Sequence, residues 1–365
     1  AVRPGDTVAR LGGDEFAILV EDAAGFDEPT ELAERLLACL DEPFELAGKT
    51  FVITASAGVV LSNPHDGPDE LIRNADMAMY LAKREGKACV RRFEPALHHA
   101  ALERLELEAD LRRAVQRGEF VVHYQPMVEL TTGCIAGFEA LVRWQHPRRG
   151  LLEPSDFIPL AEETGIVVEL GRWVLGEACA RAQRWHERHG FEGSISVNLS
   201  ARQLRDPGLV DDVAETLREL RLDPRRLTLE ITETVLMDDD TAVDRLNALK
   251  ALGVRLAIDD FGTGYSSLNY LRRLPVDIVK IDKVFVDGVA GDREAVGLIN
   301  AILGMARALN LETVAEGVEN GGQARRLKEL GSAFVQGFYF AKPMAPDAAE
   351  LFITTERTER TSSVR

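Results

Sequence analysis

Histidine and cysteine are scarce in this chain, seven and four among 365 residues. The four cysteines (Cys39, Cys89, Cys134, Cys179) fall in no CxxC or Cys/His spacing. That argues against a zinc site and against a disulfide framework, and it suits a reducing cytoplasm. Basic charge is short as well: 43 Lys and Arg stand against 60 Asp and Glu, a net charge of −17. A chain that grips a nucleic-acid polymer by its backbone needs basic patches, so that class is excluded, while a small phosphate ligand held through a metal is not. No apolar run reaches the ~18 residues that span a bilayer, and no signal peptide is present. The chain has no initiator methionine and begins in mid-pattern. It therefore reads as a cytoplasmic piece of something longer, with an upstream sensor or membrane segment expected outside it.

Hydrophobic content of 45% describes an ordinary soluble globular protein. Residues 1–20 read as strand, tight turn, strand, with Gly12-Gly13 between two apolar runs. Helical spacing predicts helices over 30–40 and 68–85, with a strand over 50–61 between them. A connector over 91–101 leads into a charged amphipathic helix over 102–117. From Phe120 onward, strands alternate with helices, the pattern of parallel βα units. The strands fall at 120–130, 134–144, 194–200, 227–232, 254–261, 276–282, 312–318 and 334–340. The helices fall at 154–164, 166–189, 207–220, 240–252, 291–309 and 320–330. Eight strands in about 250 residues is the size of a TIM-like (β/α)8 barrel. Only Thr131-Thr132-Gly133 joins the first two, which is a hairpin, so one strand is expected to run antiparallel. Residues 354–365 read as a disordered polar tail.

Period-two alternation sorts the chemistry. Glu139 shares a face with Leu141 and Arg143, against Phe138, Ala140 and Val142. Asn198, Glu230, Lys280 and Gln336 each oppose apolar neighbours in their own strands, and Glu316 shares a face with Val314 and Val318. Asp259-Asp260 closes a further strand, where Gly262 and Gly264 permit a turn that aims both acids one way. Any one buried Glu or Lys is more often a satisfied ion pair. Seven strand ends doing this together are a site, expected at the C-terminal mouth, because a barrel interior is otherwise filled with branched apolar side chains. Its donors are carboxylates and an amide, which select Mg²⁺ or Mn²⁺ over zinc. The acids outnumber what one Mg²⁺ uses, so a two-metal site that displaces a phosphodiester in line is the economical reading. Lys280 would orient or deprotonate the water, or balance charge on the phosphate. Arg143 has the planar fork to grip a phosphate oxygen.

Glu139-Ala140-Leu141-Val142-Arg143-Trp144 resembles the signature of the EAL domain family, cyclic-di-GMP phosphodiesterases of bacterial second-messenger signalling. The likeness extends over 105–353: Tyr124-Gln125-Pro126, Asn198-Leu199-Ser200, Glu230-Ile231-Thr232-Glu233, the Asp259–Ser267 stretch, Lys280-Ile281-Asp282, Ala315-Glu316-Gly317-Val318-Glu319 and Gln336-Gly337-Phe338. The resemblance implies a barrel, often dimeric, that cuts cyclic-di-GMP to linear pGpG. It implies that Glu139, Asn198, Glu230, Asp259 and Asp260 hold two Mg²⁺ or Mn²⁺ ions and that Lys280 serves the attacking water. Glu316 and Gln336 complete the site, Gln125, Leu141 and Arg143 touch the dinucleotide, and Glu233 braces the Asp260–Ser267 loop.

Gly12-Gly13-Asp14-Glu15-Phe16 is similar to the GGDEF signature of diguanylate cyclases, and Asp76–Lys83 to that family's late helix. Arg3 and Asp6 resemble its RxxD product-inhibition site. The resemblance implies a palm-like α+β domain in which Asp14 or Glu15 binds metal and GTP or cyclic-di-GMP is the ligand. The upstream elements of that family are not in the sequence, so this part is expected not to cyclise GTP as it stands. The domains are then a partial GGDEF domain (1–92), a linker (93–104), the EAL barrel (105–353) and the tail. Three other readings compete with this one. A non-catalytic cyclic-di-GMP receptor should show a broken carboxylate set, which this sequence does not. A barrel enzyme using Lys280 as a Schiff-base amine would need no metal. A parent acting mainly as a cyclase turns on residues outside this sequence.

Overall fold

The computed structural model describes residues 2–40, 43–46, 49–51, 53–84, 88–233, 240–262 and 271–363. Two compact units meet in sequence at Ala109/Asp110. In the first, the strands Thr7–Gly12 and Glu15–Leu19 form an antiparallel hairpin. Gly13 takes φ +54° at its turn, where a side chain would be strained. The helix Pro68–Arg84 lies against the strand Ala57–Val59, and Gly58 makes that approach: a Cβ there would stand 2.0 Å from the Ala75 carbonyl oxygen.

Several expectations about the segments outside the barrel need correction. The single strand over 50–61 is two short ones, Lys49–Phe51 paired with Phe44–Leu46 and Ala57–Val59 paired with Val90–Arg92. Strand propensity read from one sequence cannot tell which partner each half will find. From Pro95 onward the connector and the linker are helical instead, because one helix runs from Pro95 to Arg117, while Arg91 and Arg92 end the short strand Val90–Arg92. Pro at the first helical position costs no hydrogen bond, and the Ala-, Leu- and Glu-rich run after it propagates. The tail is also helical: Pro346–Ser363 is continuous, and its Glu and Arg residues are good helix formers.

The second unit is built on eight strands, labelled here β1 (Phe120–Glu129), β2 (Cys134–His146), β3 (Ser194–Asn198), β4 (Leu227–Thr232), β5 (Arg255–Phe261), β6 (Ile278–Ile281), β7 (Glu312–Ala315) and β8 (Phe334–Gln336). They close on themselves, with β2 pairing both β1 and β3, and β8 pairing β1. Both pairings of β1 are antiparallel and the others around the ring are parallel, as the three-residue connection required. A further short strand, Gly150–Leu152, folds back antiparallel on the end of β2, which the sequence reading missed.

Outward-facing residues pack against the helices. Tyr124 and Phe138 meet Trp185 of the helix Val167–His189 at 5.0 Å between ring centroids. Ile281, Ala315 and Val335 join Ile299, Leu303 and Leu327 in another buried cluster. Inward, Met127, Ala257, Ile278 and Val314 form an apolar layer with Phe334. Each of these lies two residues from a polar site residue on its own strand, or, for Val314, from Glu316 just past the strand end. In the parallel strands the polar residue follows, and in antiparallel β1 Gln125 precedes Met127. Alternation alone therefore lifts the polar set to one end of the barrel.

Candidate active site

Glu139 stands at the centre of an amide frame. Its Oε1 accepts from Asn198 Nδ2 at 2.7 Å and its Oε2 from Gln336 Nε2 at 2.6 Å. Gln336 Nε2 also donates to Gln125 Oε1 at 3.0 Å, and Gln125 Nε2 donates to the Ala341 carbonyl at 3.2 Å. Gln125 and Gln336 thus orient the Glu139 carboxylate, a role the sequence reading did not give them.

Lys280 is 1% exposed. Its Nζ lies 2.5 Å from Glu230 Oε2, 2.7 Å from Glu316 Oε1, 3.2 Å from Asp259 Oδ1 and 3.6 Å from Glu139 Oε2. Burial works against charge on this amine, but the surrounding carboxylates outweigh it and hold it as an ammonium. Four acids around one cation leave an excess of negative charge. Burial, with Asp259 and Glu139 beside it, pushes the Glu316 carboxyl up to about 8 despite Lys280. Burial likewise lifts Glu230, with Lys280 pulling the other way. A site that raises its own acids in this manner is short of positive charge.

The geometry says where that charge belongs. Carboxylate oxygens of Glu139, Glu230 and Asp259 lie within 4.8 Å of one another, and so do those of Asp259, Asp260 and Glu316. Asp259 belongs to both groups. Glu230 Oε1 is buried without a hydrogen-bond partner, an acceptor left for a cation. The donors are all oxygen, so the residues fit hard divalent ions.

Asp259 and Asp260 converge by a device other than the turn expected from Gly262 and Gly264. The pairing of β5 with β6 slips between Ile258 and Phe261, and Asp260 takes φ +53°. A bulge with a left-handed residue re-aims a side chain that strict alternation would send away, and Asp tolerates that conformation better than most. Gly262 follows at φ +100°; Gly264 and the loop from Thr263 through Ser267 lie outside the described residues. Glu233 is buried, and its Oε2 accepts from the Gly262 N–H at 3.1 Å. Its contact with the described start of the loop is of the kind expected. Glu233→Ala should lower turnover about tenfold or more while the ligand carboxylates stay in place. An unchanged rate in steady-state assays would remove Glu233 from the machinery.

Asp282 is a member of the site that the sequence reading left out of its candidates. Its Oδ1 accepts from the Val284 N–H at 2.7 Å, and its carboxyl hydrogen-bonds to Asp260. Burial, then Asp259 and Asp282, pushes the Asp260 carboxyl up to about 6. The signal was present, since Lys280 and Asp282 share a face in period two.

Leu141 and Arg143 lie further along β2 toward the rim, with Leu141 across from His123 in β1. Burial and the Arg143 charge hold the His123 imidazole below its ordinary value. The amino-terminal candidates form no comparable centre. Among the described residues, Asp14 and Glu15 join no carboxylate cluster. Gly12 pairs with Glu15 in the hairpin, and the Arg10 guanidinium closes the turn on the Gly13 carbonyl at 2.6 Å. Asp6 accepts from the Arg3 backbone N–H, while the Arg3 guanidinium pairs with Glu28.

A (β/α)8 barrel with one reversed strand, carrying an all-oxygen carboxylate centre around a buried lysine at its mouth, defines the class. Residues 108–343 match the family described as EAL domain, and residues 1–89 match the diguanylate cyclase GGDEF domain. The bifunctional diguanylate cyclase/cyclic di-GMP phosphodiesterase MucR of Pseudomonas aeruginosa is 45% identical over 346 residues, 94% of this chain and 50% of that protein. The cyclic di-GMP phosphodiesterase PdeR of Escherichia coli is 39% identical over 346 residues, 94% of this chain and 52% of that protein. A solved structure of the PaMucR phosphodiesterase in complex with c-di-GMP superposes with a TM-score of 0.64 at 45% identity, covering 67% of this chain and 99% of that one. The chain belongs to the EAL domain family. It spans about half the length of these two full-length relatives. No described helix is long and apolar enough to cross a membrane.

Proposed function

We propose that the barrel hydrolyses cyclic-di-GMP to linear pGpG. The observation that carries this reading is the intact mouth: Glu139, Glu230, Asp259, Asp260 and Glu316 converge with Lys280, and one buried carboxylate oxygen still wants a cation. Mg²⁺ or Mn²⁺ is the ion of choice for such donors, held by Glu139, Asn198, Glu230, Asp259 and Asp260. When bound, a pair of such ions supplies a water nucleophile at neutral pH and offsets charge on the phosphodiester. The chain's own residues do the rest. Gln125, Gln336 and Asn198 fix the Glu139 carboxylate, Lys280 Nζ sits among the carboxylates where it holds the water or meets the phosphate, and Arg143 takes a phosphate oxygen from the rim. Pairing of two barrels into a homodimer, and GTP or cyclic-di-GMP as a ligand of the amino-terminal unit, rest on family likeness alone.

The test is incubation with cyclic-di-GMP in Mg²⁺ or Mn²⁺, and in parallel with EDTA, with products separated by chromatography. Metal-dependent pGpG supports the reading; nucleotide binding without product replaces it with a receptor. Glu139→Ala should abolish hydrolysis, by about 10³-fold or more, with an unchanged circular dichroism spectrum. A fully active variant sinks the metal assignment.

A further inference from the structure

Arg143 is already engaged in this molecule. Its Nη2 lies 2.9 Å from Glu153 Oε2, with the Arg143 side chain 7% exposed and the Glu153 side chain 58% exposed. The pair is imposed by the fold. Trp144 stands opposite Leu152 in the short hairpin that extends β2, so the next residues outward, Arg143 and Glu153, face one another on the same side of the ribbon. Glu153 is also the residue before the helix Pro154–Thr164, where its own N–H donates to Asp156 Oδ2 at 3.0 Å. Its backbone is therefore pinned, and its carboxylate is delivered to the guanidinium without needing to be buried. Arg143 carries a further bond to the Val142 carbonyl at 2.9 Å, which leaves the fork toward Glu153 as its adaptable side.

We propose that Glu153 stands in for a substrate phosphate on Arg143 and must be displaced when the dinucleotide binds, so that it sets the affinity for substrate. This rests on the phosphodiesterase reading. A guanidinium fork donates to carboxylate or to phosphate oxygens by the same geometry, and one fork cannot serve both fully. The cost of parting the pair is charged against ground-state binding, while the reacting groups around Lys280 are untouched. Glu153 is a positioning residue in this scheme and contacts no reacting atom.

The experiment is steady-state hydrolysis of cyclic-di-GMP by the wild-type chain, Glu153→Gln, Arg143→Met and the double variant. Glu153→Gln should lower KM about two- to fivefold, the range of an ion pair with one exposed partner, with kcat within about twofold. In the Arg143→Met background the same substitution should leave KM where it was. A KM that is unchanged or raised in Glu153→Gln overturns the proposal. So does an equal lowering in both backgrounds, which is simple repulsion between Glu153 and an anionic substrate. Glu153→Ser, which keeps an oxygen before the helix, should move KM in the same direction as Gln. Calorimetric titration of cyclic-di-GMP onto the same proteins in EDTA separates the two levels. Binding in the expected order without turnover keeps Glu153's role and overturns the hydrolase reading. A wild-type chain that neither binds nor hydrolyses overturns both.

Discussion

Lys280→Met is expected to remove hydrolysis and to make the barrel's stability depend on divalent metal. The ammonium is the central positive charge among the acids Glu139, Glu230, Asp259 and the partly buried Glu316. Methionine fills similar space but leaves four acids facing one another. Removing one partner of a buried ion pair costs about 3–5 kcal/mol, because the other is left without compensation. In EDTA the variant should therefore melt well below the wild type. Saturating Mg²⁺ or Mn²⁺ replaces part of the missing charge, so the gap should narrow. Turnover should fall about 10²–10⁴-fold even with metal, since the positioned N–H groups are gone. Thermal melts of both proteins with and without metal check this directly. An equal loss in the two conditions would falsify the counter-ion role of Lys280 and leave it as ordinary packing.

Gly337→Ala should be among the most damaging single-methyl additions in the barrel. A Cβ at that position would stand 2.2 Å from both the nitrogen and the oxygen of Val318. Both atoms are in use: Val318 N–H donates to the Gln336 carbonyl at 3.1 Å, and the Val318 carbonyl accepts from Tyr339 N–H at 2.9 Å. Backbone on both sides leaves no flexible side chain to give way, so a cost of about 3 kcal/mol or more is expected. Gln336 is the preceding residue, and its grip on Glu139 would loosen with it. Gly304→Ala is the control. It lies in the helix Arg293–Ala308 with nothing within 4 Å of its added methyl. It should gain about 0.5–1 kcal/mol from helix propensity. Urea midpoints of the two variants should part in opposite directions. A Gly337→Ala protein of wild-type stability would mean that the Val318 strand end yields more readily than its hydrogen bonds suggest.

Much of the barrel was legible before any coordinates. Alternation in β2, β4 and β6 put Glu139, Glu230 and Lys280 on one face because a strand has only two faces, and apolar neighbours claimed the other. The reversed strand followed from three residues between β1 and β2, too few for a crossover. What failed was mostly local. Residues 93–104 are read as a linker and 354–365 as a disordered polar tail, yet the Ala, Leu, Glu and Arg in the two stretches favour helix, and periodicity weighs little where no apolar face demands a partner. The strand over 50–61 broke in two because pairing, not propensity, decides where a strand ends.

The site divides along the same line. Residue type and period determined that this chain gathers carboxylates, an amide and one lysine at one end of a barrel, with no sulfur or imidazole among them. Those are properties of single strands, and a strand's faces are set by its own sequence. The tertiary structure alone decided that Asp260 turns back through a bulge to join Asp259, that Gln125 and Gln336 hold Glu139, that Asp282 reaches Asp260, and that Glu153 lies on Arg143. Each depends on the stagger between neighbouring strands or on where a hairpin returns. Register is a relation between segments distant in sequence, and no single segment carries it.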